Sequence, residues 1–344
     1  MKLKHYILLL SVAIFAACGE DAPPSPQGND GADLDPGSGV LILNEGPFRQ
    51  SLASLSFYEY ETGQVTGGLF EEVNGFGLGD ILQSATVIDD QLLLVVNNSS
   101  VVERVGKRSL RSNASLTLES PRYALRLPDG RFYISDFTAG EIHVVESAID
   151  LRKSNSIPLP GWSEQMVLLD GQVWVTNPFR EYVYGIDISQ DLVTDSIRID
   201  DQCGPLLTDA QGRMWTLCQG ESILDNSATL YRFTPTGDID AWPVSANGQS
   251  RMLFVDALNE MWLLTFEGLY RFSSDLSDSD EIGQLWLERS GNWYALGREP
   301  QTGDIYLGDA IDFQQPGLVY RYSDAQNPID SFAVGLAPNG FVFY

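Results

Sequence analysis

Seven short stretches of this chain read as one and the same β-strand running into a small polar residue. They are Leu41-Ile42-Leu43-Asn44, Leu94-Val95-Val96-Asn97, Tyr133-Ile134-Ser135-Asp136, Trp174-Val175-Thr176-Asn177, Trp215-Thr216-Leu217-Cys218, Trp262-Leu263-Leu264-Thr265 and Tyr306-Leu307-Gly308-Asp309. They recur every 39–53 residues or so, and a four-stranded propeller blade takes roughly 40–50 residues. Seven such anchors fill residues 39–344 and leave no room for a second domain. The expected fold is all-β: a seven-bladed β-propeller with four-stranded antiparallel blades.

The amino terminus has a different character. Lys2 and Lys4 precede an apolar run from Tyr6 to Ala17 that is too short to span a bilayer. Residues 1–17 therefore read as a signal peptide. The run closes in Phe15-Ala16-Ala17-Cys18-Gly19, which resembles a bacterial lipoprotein cleavage site with Cys18 as the lipidated first residue. It departs from that pattern at Phe15, where Leu is more usual, and an ordinary secretory peptide with an incidental cysteine is the alternative. From Gly19 to Ser38 the composition is Gly, Pro, Asp, Asn and Ser, so residues 18–38 read as lipid anchor and disordered tether. Glu20 and Asp21 resemble the acidic tag that exports lipoproteins of Bacteroidota to the outer face of the outer membrane. The expected location is the outer membrane, cell-surface exposed, with membrane contact through the lipid alone.

Charge narrows the choice of partners. With 47 acidic against 21 basic residues the net charge is −26, which repels phosphate backbones and anionic headgroups and disfavours nucleic-acid binding. Solubility of an exposed protein is the plainer meaning of the acidity. The acidic run Asp275 to Glu281 reads as a solvated loop, since it lacks the ligand spacing and glycine of a calcium loop.

Two cysteines remain beyond Cys18. The turn Asp209-Ala210-Gln211-Gly212 lies midway between Cys203 and Cys218, so a hairpin about it brings the two opposite or nearly opposite each other. An oxidising envelope compartment favours a disulfide, two free buried thiols being the alternative. Neither cysteine looks catalytic. The mature chain has a single histidine, His143, on an expected third strand away from the channel, which argues against a histidine base or a His-rich metal site. No metal and no cofactor is expected.

Blade geometry predicts which residues share a face. Each blade starts with an inner strand, turns at a glycine hairpin such as Pro128-Asp129-Gly130, Asp170-Gly171 or Gln211-Gly212, and returns through its anchor. The starts of the inner strands and the ends of the anchors then lie on one rim of the central channel. The first set includes Gln83, Ser84, Arg122, Tyr123, Glu164, Gln165, Gly204, Arg251, Trp293 and Tyr294; loop residues Phe48, Arg49, Phe137, Phe179, Arg180, Phe266 and Phe313 lie just beyond the second. Amides, aromatics and a few arginines suit a flat or amphipathic ligand. Arg122, Tyr123, Trp162, Gln165, Phe179, Arg180, Trp293, Tyr294 and Phe313 are the candidate ligand-binding residues. Asn and Asp at strand ends also simply cap turns, and the anchor aromatics Trp174, Trp215, Trp262, Tyr133 and Tyr306 suit inter-blade core.

Further stretches go beyond a generic propeller. Asn44-Glu45-Gly46, Val73-Asn74-Gly75, Leu78-Gly79-Asp80, Val96-Asn97-Asn98-Ser99, Ser120-Pro121-Arg122-Tyr123, Gly161-Trp162-Ser163-Glu164-Gln165-Met166, Tyr294-Ala295-Leu296-Gly297, Gly303-Asp304-Ile305-Tyr306 and Val319-Tyr320-Arg321-Tyr322 together resemble the YncE-like surface lipoproteins of Bacteroidota across residues 39–344. That resemblance, which extends to corrinoid-capturing BtuG-type members, implies a surface lipoprotein that binds a corrinoid such as vitamin B12 and passes it to a TonB-dependent outer-membrane transporter. It carries over no ligand-contact residue. Two other classes compete. One is a protein-interaction propeller docking a transporter or another surface protein. The other is a carboxylate-dependent lyase or lactonase working through Asp136, Asp309 and Glu164.

Overall fold

The computed structural model describes residues 31–219, 227–245, 252–277 and 282–344. The leader, Cys18, Arg251 and residues 278–281 of the acidic run lie outside them. The chain is a seven-bladed β-propeller, each blade a four-stranded antiparallel sheet. The second to seventh blades run in chain order; the third, for example, is Pro121–Arg126, Phe132–Asp136, Glu141–Val145 and Lys153–Pro158.

The first blade is composite. Gly39–Asn44, Ser54–Glu59 and Val65–Gly67 supply its outer three strands, and Pro338–Phe343 from the far end of the chain supplies the innermost. Val40 pairs with Phe343 and Leu41 with Val342. This pairing of the chain ends closes the ring, and no blade has to be finished by one end alone.

The seven anchors are the second strands, and burial explains their sequence. Gly39–Asn44, Phe132–Asp136, Met214–Cys218 and Ile305–Asp309 are buried at every position, because a second strand is covered on both faces by the neighbouring blades. A strand covered on both faces reads as a continuous apolar run. Outer strands such as Ser112–Thr117 alternate instead between half-buried and exposed. Trp174, Trp215, Trp262, Tyr133 and Tyr306 all fill the seams between blades. Trp215 stacks on Trp242 at 5.6 Å and Trp262 meets Trp286 edge-on at 5.2 Å.

The hairpins on the rim opposite the anchor ends use a repeated polar device. Asp209 accepts the backbone N–H of Gln211 and Arg213 and the indole Nε1–H of Trp215, the last at 2.9 Å. Asp256 does the same for Leu258, Glu260 and Trp262, again with the indole at 2.9 Å. One carboxylate thus forms the turn and satisfies a buried indole. The common spacing of six residues between Asp and Trp is visible in both segments.

Among the described residues helix is scarce: one α-helix, Leu69–Asn74, seats Leu69 and Phe70 against the first two blades. Among the described residues no helix is long and apolar enough to cross a membrane. The stretch read as a tether ends sooner than residue 38. Leu34 is buried with Phe57, Leu69 and Leu110, and the N–H groups of Ala32 and Leu34 donate to the carbonyls of Ser109 and Arg108 at 2.9 Å. Arg108 also pairs with Asp33 and Asp35. One leucine within a polar run is enough to dock the segment, and it docks at the rim opposite the anchor ends.

Candidate functional site

Asp136 and Asn177, the last residues of two neighbouring anchors, shape one sector of the other rim. Asp136 is fully buried, and its carboxylate accepts the N–H groups of Ser120, Thr138 and Ala139 and the Nε2 of His143 at 2.8–3.0 Å. Burial opposes ionisation, yet the hydrogen bonds from His143 and the three backbone groups outweigh it and hold the carboxyl at about 2. This fixes the loop that carries Phe137. Asn177 accepts from the N–H of Phe179 at 3.0 Å and donates to the carbonyl of Pro160 at 3.2 Å, tying together the loops of Phe179 and Trp162. Gly161 makes the bend before Trp162 at φ 107°; a Cβ there would sit 3.3 Å from the Asn177 amide.

Three rings meet as a result. Trp162 lies edge-on to Phe179 with centroids 3.9 Å apart and tilted against Phe137 at 4.0 Å. Phe179 is 56% exposed, so the cluster presents apolar area to solvent instead of adding to the core. Such small aromatic patches mark contact surfaces.

A polar pocket of about 210 Å³ opens next to the rings, lined by Arg122, Tyr123, Glu164, Gln165, Pro178, Gln202, Cys203, Gly204, Pro205 and Leu253. Its wall is held by an ion pair across two blades, Arg122 Nη2 to Glu164 Oε1 at 2.9 Å and Nε to Oε2 at 3.0 Å. Arg122 also donates to Gln83 and lies over the ring of Phe137 at 5.1 Å. Burial pushes the Glu164 carboxyl above its ordinary value while Arg122 pulls it back. Burial also raises the Tyr123 phenol, Glu164 adding to the effect. Tyr123 stays a neutral hydroxyl and accepts from Gln83 Nε2 at 3.1 Å. Gln165 accepts the N–H of Leu206 at 3.0 Å. At the pocket's far wall lies Cys203, directly paired across the strands with Cys218 and joined to it by a disulfide.

Of the nine candidate residues, Arg122, Tyr123, Trp162, Gln165, Phe179 and Arg180 come together here. Tyr294 and Phe313 form a separate edge-on pair on the seventh blade at 5.1 Å, with the Tyr294 hydroxyl donating to Glu45 at 2.8 Å. Trp293 is a correction: it is fully buried among Trp262, Leu264, Trp286 and Ile305. Neighbouring residues of a strand point to opposite faces, and here Tyr294 takes the rim while Trp293 takes the inter-blade seam. Phe137, read from sequence only as one loop aromatic among several, belongs to the cluster; its signal is its place one residue beyond an anchor.

The alternative catalytic carboxylates are engaged elsewhere. Asp136 is committed as above, Asp309 accepts the N–H groups of Asn292 and Ile311 at 2.9 and 2.8 Å, and Glu164 holds Arg122. Among the described residues no group of three or more His, Cys, Asp or Glu side chains is arranged to hold a metal ion.

No protein-family model matches the chain, and no curated protein matches it in sequence. Solved structures match in fold. A quinonprotein alcohol dehydrogenase-like protein from Bacteroides thetaiotaomicron superposes with a TM-score of 0.70 at 15% identity, covering 89% of this chain and 78% of that one. A functionally unknown protein from Desulfotomaculum acetoxidans gives 0.63 at 13%, covering 89% and 98%. A virginiamycin B lyase from Staphylococcus aureus, solved with quinupristin, gives 0.56 at 13%, covering 86% and 96%. At these identities the likeness is one of fold, a scaffold that hosts many functions.

Proposed function

We propose that this protein is a lipid-anchored surface propeller that binds a flat, amphipathic small molecule across one rim, with a corrinoid such as vitamin B12 as the specific candidate, and passes it to a TonB-dependent outer-membrane transporter. The observation that carries this reading is the aromatic trio of half-buried Phe137 and Trp162 with exposed Phe179, beside a pocket walled by Arg122, Tyr123, Glu164 and Gln165. The rings offer apolar area and the pocket offers hydrogen-bonding groups, which is what a broad macrocycle edged with amide arms would use.

Size sets the pose. A pocket of about 210 Å³ is smaller than the roughly 300–1,000 Å³ that enclose a drug-sized ligand. A macrocycle would therefore lie over the rings and place one arm in the pocket. The engagement of Asp136, Asp309 and Glu164 by backbone groups and Arg122 favours binding over carboxylate chemistry.

Attachment geometry is consistent with capture. The chain enters the propeller at the rim opposite the site, where Ala32 and Leu34 bond to Ser109 and Arg108. A lipid on Cys18 at the end of that segment would leave the site facing away from the membrane, open to ligand arriving from outside.

A docking role is the second reading, favoured by Phe48 and Leu52, which are 60% and 48% exposed on the first-blade side of the same rim. Titration of the mature chain with cyanocobalamin and cobinamide by calorimetry separates the two. Saturable binding of a corrinoid supports capture; no binding at high ligand, with retention of the transporter from detergent extracts, supports docking.

A further inference from the structure

On the rim reading just given, one cation beside the aromatic trio makes no ion pair among the described residues. In a chain with 47 acidic and 21 basic residues arginines find carboxylates readily: Arg131 holds Asp191, Arg298 holds Asp256 and Arg321 holds Asp304. At the site itself the charge of Arg122 is taken up by Glu164 through two bonds. Arg180 differs. It is exposed, directly follows Phe179, and makes no ion pair among the described residues. Its Nε lies 3.9 Å from the point a Cβ on Gly161 would occupy, which sets the guanidinium against the loop of Trp162.

We propose that the ligand of this rim carries an anionic oxygen group, phosphate-like or carboxylate, received by Arg180 at the edge of the aromatic trio; the inference rests on the rim being the binding site. The parts divide the work. The rings cover an apolar face, the Arg122–Glu164 wall is internally neutral and takes uncharged amides or hydroxyls, and Arg180 supplies a planar fork that pairs with two oxygens. The acidity of the whole protein does not prevent this. Beyond about 8 Å its field is screened at physiological salt, so the contact with Arg180 decides.

The test uses two dyes without a corrin ring, so it stands whatever the ligand proves to be. 1-Anilinonaphthalene-8-sulfonate carries an anionic group; N-phenyl-1-naphthylamine has the same rings without it. Both are titrated by fluorescence into the mature chain and its R180A, R180K and W162A variants. R180A should weaken the sulfonate dye about tenfold or more and leave the uncharged dye within about threefold, with R180K between. Raising salt from about 0.05 to about 0.5 M should weaken the sulfonate dye alone. Equal effects of R180A on both dyes, or on neither, overturn the anion subsite while leaving the rim reading standing. If W162A changes neither dye, the rim reading itself fails and this inference with it.

Discussion

Arg122 grips both carboxylate oxygens of Glu164, at 2.9 and 3.0 Å, and so joins the third blade to the fourth at the mouth of the channel. The side chains are 20% and 10% exposed, so little water would replace a missing partner. Glu164→Gln should leave a buried, uncompensated guanidinium and cost about 3 kcal/mol. Urea titration checks this, and the double variant Arg122→Met with Glu164→Leu should lose less than Glu164→Gln alone, because it leaves no orphaned charge.

Acid stability should report on Asp136. Burial raises and hydrogen bonds from His143, Ser120, Thr138 and Ala139 lower its carboxyl, with a net value of about 2. A folded value below the unfolded one, about 3.9, gives stability that is fully present above about pH 4 and lost as pH falls through about 2. The stake is about 2 kcal/mol. Stability measured by urea against pH should fall across that window in the wild type, and Asp136→Asn should remove this component while lowering stability at neutral pH.

The pair Cys203–Cys218 closes a loop with a sequence separation of 15, for which chain entropy predicts about 3 kcal/mol of stabilisation. The double serine variant, or the wild type under reductant, should unfold at correspondingly lower urea. Because Cys203 also lines the pocket, ligand affinity should fall together with stability.

Separating binding from folding is the task of the rings. Trp162→Ala and Phe179→Ala alter loop residues that only partly bury their side chains, so each should cost about 1 kcal/mol or less of stability. Each should weaken ligand binding about tenfold or more. Phe266→Ala, on the sixth blade of the same rim, is the control and should leave affinity unchanged.

The seven anchors made the blades legible, because a strand buried on both faces must be apolar throughout and its period sets the number of blades. The hairpin Asp209-Ala210-Gln211-Gly212 likewise placed Cys203 against Cys218. What sequence hides is the direction of a side chain at a strand's first residue: Trp293 and Tyr294 are adjacent, yet one fills a seam and the other bonds Glu45. Loop contacts were hidden for a related reason. That Phe137 meets Trp162 depends on caps by Asp136 and Asn177 in two blades, which no local pattern reports. The docking of Leu34 leaves no compositional signal, because a single apolar residue does not change the composition of a polar stretch.

The most direct test of rim capture is calorimetric titration of the mature chain with cyanocobalamin, repeated on Trp162→Ala. Capture at the trio predicts saturable one-to-one binding of the wild type, weakened about tenfold or more in the variant. Wild-type binding that the variant leaves unchanged, or no binding at high ligand, would contradict it.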